Sequence, residues 1–343
     1  MRAWPLSAPT ARAAQGWRGM AQRPWWPWLT HGVAAAFFAG VAWLIVRQAR
    51  TVDWPAVWQA LQALPASVLA VAGVLALLSH ATYGTFDWVG RHVSGHRLGR
   101  AATLSVAMTS YPFTLNLGSL IGGVGVRYRL YARRGLGPGT IGQVVGTSIL
   151  TNWLGYLLLV AVLPWAWQPP SVAGWAAEPW VWRLGGALLG CLPLAYVLLC
   201  ALRAGRALTW RGHKFPLPRW PVALWQVAVS ACNWMLMGAA LWTVLQGQVP
   251  YPAALATVLL GAVAGLVLRV PAGLGVLEAV GVALLVSPTL GTAQVLAALL
   301  AYRALYYFGP LVLAALALGA AELHWRQQEN SSQNDLQRLP IKR

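Results

Sequence analysis

The sequence predicts an all-α polytopic membrane protein, and three observations carry that prediction. Of 343 residues, 58% are hydrophobic and only 9% are charged, where a soluble domain carries roughly a quarter. The apolar residues collect in runs suited to crossing about 30 Å of hydrocarbon. The net charge of +18 sits in short basic clusters between those runs, as expected of cytoplasmic loops. A nucleic-acid partner would want a contiguous basic face instead, so none is expected.

Residues 1–30 are basic, with Arg2, Arg12, Arg18 and Arg23, and have no apolar period; they read as a disordered cytoplasmic segment. A single membrane domain is expected over 31–320, and a polar cytoplasmic tail over 321–343. His31 to Val46 lacks a small-residue cleavage site and is followed by Arg47 and Arg50, which fits an uncleaved first span. Between Thr51 and Ala66, Trp54, Val57, Trp58, Leu61 and Leu64 recur at helical spacing, predicting a short amphipathic helix on the outer interface. Further full spans are expected at about 67–89, 139–163, 180–202, 221–245 and 290–320, six in all. The tryptophan-rich loop 164–179, without Lys or Arg, falls on the outer side. Cys191, Cys200 and Cys232 lie within apolar runs and read as small core residues.

Two segments break the alternation of sides. From Arg100 to Arg127 the chain is mostly apolar, yet both flanks are basic and the centre, residues 111–123, is crowded with helix breakers. A segment that begins and ends on one side cannot be a single crossing. It reads as a re-entrant hairpin from the cytoplasm, its tip near Asn116 to Gly123. Ala253 to Val286, interrupted by Arg269-Val-Pro-Ala-Gly-Leu-Gly275, reads as a second hairpin from the outer face. Both termini then lie in the cytoplasm. The span, hairpin, span unit of about 67–163 recurs inverted over about 221–320, an arrangement seen in secondary transporters with broken helices meeting at mid-membrane. Eight or more full crossings, with each hairpin read as a pair of spans, have the same parity.

Two blocks carry a more specific signal. The first is Asn116-Leu-Gly-Ser-Leu-Ile-Gly-Gly-Val-Gly-Val-Arg-Tyr-Arg-Leu-Tyr131, continuing through Gly135-Leu136 to Leu150-Thr-Asn-Trp-Leu-Gly155. The second is Val270-Pro-Ala-Gly-Leu-Gly-Val-Leu-Glu278, with Ala301-Tyr-Arg-Ala-Leu-Tyr-Tyr-Phe-Gly-Pro310. Over roughly 66–320 the chain resembles the lysylphosphatidylglycerol synthase transmembrane region family, which includes the flippase half of MprF and stand-alone YbhN-like proteins of the bacterial inner membrane. The resemblance implies lipid translocation. After Ala320 only a short polar stretch is present, so lysyl transfer is not implied. The family's usual second glycine of the tip is Ala272, a small departure.

Among candidate site residues, Glu278 and Arg303 stand out. Arg303 falls near the middle of the last long apolar run, where exposure to lipid would cost roughly 2.5–3.5 kcal/mol. Glu278 follows the second tip, Pro271 to Gly275, in the first turn of a half-helix whose dipole favours an anion. They read as an ion pair locking hairpin to helix, as a headgroup or proton site, or as both. Arg127 and Arg129 suit a lipid phosphate, because each guanidinium can bind two oxygens; ordinary cytoplasmic charge explains Arg133 and Arg134. Asp87 is expected to pair locally with Arg91. Asn116 and Asn152 could bond exposed carbonyls at a broken tip or contact a headgroup, and Tyr128 and Tyr302 lie beside the candidate arginines. The tips themselves are assigned to Gly118, Gly122 and Gly123, and to Pro271, Gly273 and Gly275.

His92 and His96 have the spacing of a metal pair, but Gly95 weakens the helix and no H-E-x-x-H accompanies them. No metal and no cofactor are expected. With no nucleotide-binding loop, any drive would come from an ion or lipid gradient. Only seven acidic residues exist, four of them (Asp53, Glu178, Glu329 and Asp335) outside the core, so an embedded enzyme lacks its cluster of acids and bases. The expected partners are membrane phospholipids and, on a competing reading, a separate lipid synthase for which the chain is a scaffold.

Overall fold

A computed structural model describes residues 52–170, 178–203, 208–210 and 213–337. The described residues from Pro55 onward belong to one compact unit. The expected disordered segment and first span lie outside the described residues.

The described helices are α1 (Trp54–Gln62), α2 (Ala66–Gly84), α3 (Phe86–Ser94), α4 (Arg100–Leu117), α5 (Val126–Ala132), α6 (Pro138–Ala166), α7 (Pro179–Arg203), α8 (Trp220–Val244), α9 (Tyr251–Leu268), α10 (Val276–Leu285), α11 (Thr292–Arg303) and α12 (Gly309–Gln337). The described part is almost entirely helical. The exception is a ribbon in the basic loop, β1 (Leu208–Trp210) and β2 (His213–Phe215), paired antiparallel with Thr209 opposite Lys214.

Among the described residues, six helical stretches are long and apolar enough to cross a membrane. Five coincide with expected spans, and the sixth is α9. The chain is therefore a multi-pass α-helical membrane protein. α8 is its central helix: 61% of its apolar window is buried, against 17% for α7. Small residues bring α8 close to its neighbours. A side chain at Gly155 of α6 would strike the backbone of Ser230 and Ala231, and one at Gly238 would meet Leu255 of α9. Tight contact through small residues is the usual means of helix association where lipid is as apolar as leucine.

The opening helices of the two repeats, α2 and α8, pack antiparallel. Ser79 bonds Asn233, while Tyr83 and Phe86 cluster with Val229, and Ala72 and Ala76 share a cluster with Leu241 and Val244. Each repeat continues into a helical hairpin. In the first, α4 runs past Pro112, which lies inside the helix, and stops at Gly118, whose φ of 83° is in the region natural to glycine. Helix therefore persists further into the breaker-rich segment than its composition suggests, because one proline removes one backbone donor and leaves the rest of the ladder intact. The chain returns as a π-helical stretch, Ser119–Gly125, and then α5. The return limb lies so close to α4 that a Cβ at Gly122 would collide with the carbonyl of Phe113. In the second hairpin α9 and α10 pack together, Gly261 against Leu277. α10 has 10 residues, about 15 Å of helix, half of the hydrocarbon thickness.

The hairpins open at opposite ends of the bundle. The base of the first lies by α3, just beyond the end of α2, where the Trp88 indole donates to the Arg100 carbonyl at 2.9 Å. The base of the second lies by the end of α8, where Trp242 donates to the Val249 carbonyl at 2.9 Å. Since α2 and α8 are antiparallel, these ends are opposed. The last long run is not one regular helix: α11 ends at Arg303, a π-helical turn follows at Ala304–Phe308, and α12 continues to Gln337. That helix runs well past the expected tail boundary at 320.

Candidate functional site

The tips converge on residues 303–307. Arg303 is 2% exposed. Its Nε and one Nη donate to the two carboxylate oxygens of Glu278, the Nη2 contact at 3.0 Å. The remaining contacts go to the carbonyls of Ala272 at 2.8 Å and Gly273 at 2.7 Å. Its guanidinium also lies 5.3 Å from the Tyr307 ring centroid, within cation–π range. One guanidinium thus ties down the tip and return limb of the second hairpin. Those carbonyls are free to accept because the backbone there is not helical: Ala272 has φ 55° and Gly273 φ 58°. Ala272 is consequently more than a small departure, since a Cβ in the left-handed region costs about 1–2 kcal/mol.

The first hairpin reaches the same stretch from the other side. Asn116 donates to the carbonyl of Pro112 at 2.8 Å and to that of Tyr307 at 3.1 Å. π-helical turns concentrate at functional sites, and this one takes the contact of the first hairpin directly after the arginine that holds the second.

The second charged centre lies on the return limb of the first hairpin. Arg127, 2% exposed, pairs with the fully buried Asp87 at 3.4 Å, donates to Ser110 Oγ at 3.1 Å and lies 5.6 Å from the Tyr83 ring centroid. Tyr131 donates to the other Asp87 oxygen at 2.7 Å. The expected local pair of Asp87 with Arg91 is therefore corrected. Asp87 faces the hairpin, and Arg91 instead donates to the Leu98 carbonyl at 2.6 Å.

Arg127 and Arg129, expected to act together, part ways. Two residues along a helix turn a side chain through about 200°, and Arg129, 57% exposed at its side chain, pairs with Glu322 of α12 at 2.7 Å. Arg133 comes within 3.9 Å of the same carboxylate. Tyr128 is exposed, whereas Tyr302 is buried with its hydroxyl unpartnered among the described residues. Asn152 contributes its backbone carbonyl, accepting from Ser230 and Trp234. Gly95, at φ 71°, caps α3 and leaves His96 beyond the helix, so His92 and His96 do not share a helical face. Burial and the nearby Arg91 hold the His96 imidazole below its usual range.

Sequence reasoning missed the ring of groups between these centres. Ser79, His80 and Tyr83 of α2, Tyr111 of α4, Asn233 of α8 and Tyr306 form one buried cluster. Each is ordinary when taken alone; a polar residue every few positions inside an apolar span was the available signal. Glu322 was missed because it was assigned to the tail.

These features define a class: multi-pass helical membrane proteins in which two opposed helical hairpins meet at a buried charged site. The sequence profile of the lysylphosphatidylglycerol synthase TM region matches residues 32–314. The chain is 39% identical over 280 residues to the inner membrane protein YbhN of Escherichia coli, covering 82% of this chain and 88% of that protein. It is 31% identical over 288 residues to the Synechocystis sp. protein slr0712, covering 81% and 88%. The chain belongs to the lysylphosphatidylglycerol synthase TM region family.

Proposed function

We propose that this protein is a lipid translocase of flippase type, acting on a phospholipid or lipid-linked headgroup, and that it is a transporter and not an enzyme. On this reading it resides in a bacterial plasma membrane with both termini cytoplasmic, and both hairpins are re-entrant. The observation that carries the proposal is the meeting of two oppositely opening hairpins at Arg303 and Glu278, on a broken helix. Broken helices at the interface of inverted repeats are where secondary transporters hold their cargo. A phosphate arriving there would compete with Glu278 and the tip carbonyls for the guanidinium, which matches phosphate in a bidentate fashion. Binding would release the brace on the second hairpin, so that substrate and tip movement are coupled. The short return limb, about half a bilayer long, suits a hairpin that enters and leaves on one side.

The test is a dithionite-quenching assay on proteoliposomes containing fluorescent phospholipids. Wild-type protein should expose inner-leaflet lipid, while folded Glu278→Gln and Arg303→Ala proteins should not. A wild type no faster than empty liposomes, across several headgroups, would remove the translocase reading. A second reading, a scaffold for a separate lipid synthase, draws support from the full engagement of Arg303 by Glu278 and the tip carbonyls, as expected of a structural brace. It would take the lead in that event.

A further inference from the structure

Between the two ion pairs runs a continuous file of aromatic and hydroxyl groups. Arg127 covers Tyr83, whose ring stacks on Tyr111 with centroids 3.6 Å apart. The Tyr111 hydroxyl lies 3.3 Å from that of Tyr306, which lies 2.6 Å from Ser79 Oγ, which donates to Asn233 Oδ1 at 2.8 Å. Tyr306 in turn stacks on Tyr302, with centroids 5.3 Å apart, next to Arg303 in sequence. The Asn233 oxygen can only accept, which sets the direction of the string: Ser79 donates to Asn233, Tyr306 to Ser79 and Tyr111 to Tyr306.

His80 sits against this string, its ring centroid 4.9 Å from those of both Tyr111 and Tyr306. Its Nδ1 lies 2.8 Å from the Ala76 carbonyl. A carbonyl only accepts, so Nδ1 bears the proton and Nε2 presents a lone pair. That Nε2 finds no hydrogen-bond partner among the described residues, although the side chain is buried and only 3% of the residue is exposed. Three further buried polar atoms along the file also lack partners there: Asn116 Oδ1, Arg127 Nη2 and the Tyr302 hydroxyl. Native proteins leave few such atoms; these four lie along the seam between the hairpins, and others, among them Ser94 Oγ, lie away from it. The hydrogen-bonded hydroxyls of Tyr111, Tyr306 and Ser79 can pass a proton among themselves. His80 brings the imidazole of the cluster, a side chain that can take a proton at its unpartnered Nε2 and give it up again.

We propose that His80 is a proton carrier, and that this seam moves protons between the two ends of the bundle as the hairpins rearrange. In one turn of the cycle Nε2 takes a proton from water admitted on one side, making an imidazolium. It then gives that proton to water or a hydroxyl on the other side and returns to the neutral form. One proton is moved and nothing is oxidised or reduced. The groups that would tune it are Tyr111 from α4, Tyr306 from the π-helical turn, Tyr83 on its own helix and, beyond Tyr83, the pair Asp87 and Arg127. The proposal names the coupling ion of the translocase reading and rests on it for its purpose.

Its test is read separately from lipid movement. The full chain is reconstituted into vesicles of phosphatidylethanolamine, phosphatidylglycerol and cardiolipin with trapped pyranine. A pH step is imposed with the membrane potential clamped by potassium and valinomycin, and dithionite quenching is followed in parallel. Wild type should admit protons faster than empty vesicles, and His80→Gln, which keeps a donor for the Ala76 carbonyl, should fall to the empty-vesicle rate. Tyr306→Phe keeps the ring packing, breaks the string and should lose proton entry too; it decides the matter where His80→Gln does not fold. Lipid exchange without proton entry in wild type would overturn the proton proposal and leave the translocase standing. Proton entry undiminished in folded His80→Gln would overturn the role of His80. Proton entry without lipid exchange would uphold the carrier and sink the translocase reading.

Discussion

The two hairpins solve the same problem with their charges exchanged. In the first, the cation rides on the hairpin: Arg127 lies on the return limb and its counter-ion, Asp87, on a scaffold helix. In the second, the anion rides on the hairpin: Glu278 opens the return limb and Arg303 ends a scaffold helix. The tips differ as well. The first is closed by backbone against backbone, with Gly122 against the Phe113 carbonyl. The second is held by Arg303, which bonds two tip carbonyls that no helix satisfies. The tip of the first is closed by packing and needs no charge to hold it. The second depends on one side chain and is the better candidate for the moving part.

The largest expected effect breaks that dependence. Arg303→Met should destabilise the fold by about 3–5 kcal/mol, since it leaves a partly buried carboxylate and two carbonyls without their partner. Asp87→Asn should cost less, about 1–3 kcal/mol, because Arg127 retains Ser110 and the Tyr83 ring. Thermal unfolding of purified protein in one detergent would rank them, and equal losses would erase the proposed asymmetry. Next in size is Gly122→Ala, whose added methyl has no room against Phe113 and should cost about 1–3 kcal/mol. Proteolysis of the first hairpin should rise in that variant, whereas an unchanged unfolding curve would show that the hairpin yields easily. The smallest effect has the opposite sign. Ala272→Gly should stabilise by about 1 kcal/mol through relief of the left-handed strain, seen as a modest rise in melting temperature. A fall would mean that the loss of chain entropy at glycine outweighs the strain.

The helical class, the spans and the presence of two interrupted segments were legible in the sequence, because lipid imposes strict rules on charge and backbone. A run such as 138–166 can be little else but a spanning helix, and a break as marked as Val270 to Gly275 must be held by protein. Glu278 and Arg303 could be singled out for the same reason: ionisable residues are rare in membrane-spanning segments. Which charges meet was another matter. Asp87 stands four residues from Arg91 and forty from Arg127, and sequence distance favoured the wrong arginine. Side-chain direction and the fold-back of the hairpin chose between them. The same holds for Arg129 and Glu322, and for the file through Tyr83, Tyr111, Tyr306 and Ser79, whose members come from three separate stretches of chain. Hydropathy and local geometry depend on nearest neighbours along the chain, so the sequence alone determined a helical membrane protein with two broken segments. Buried polar partners are satisfied by whatever packs alongside, so only the tertiary structure decided which residues form the charged centres and the seam that joins them.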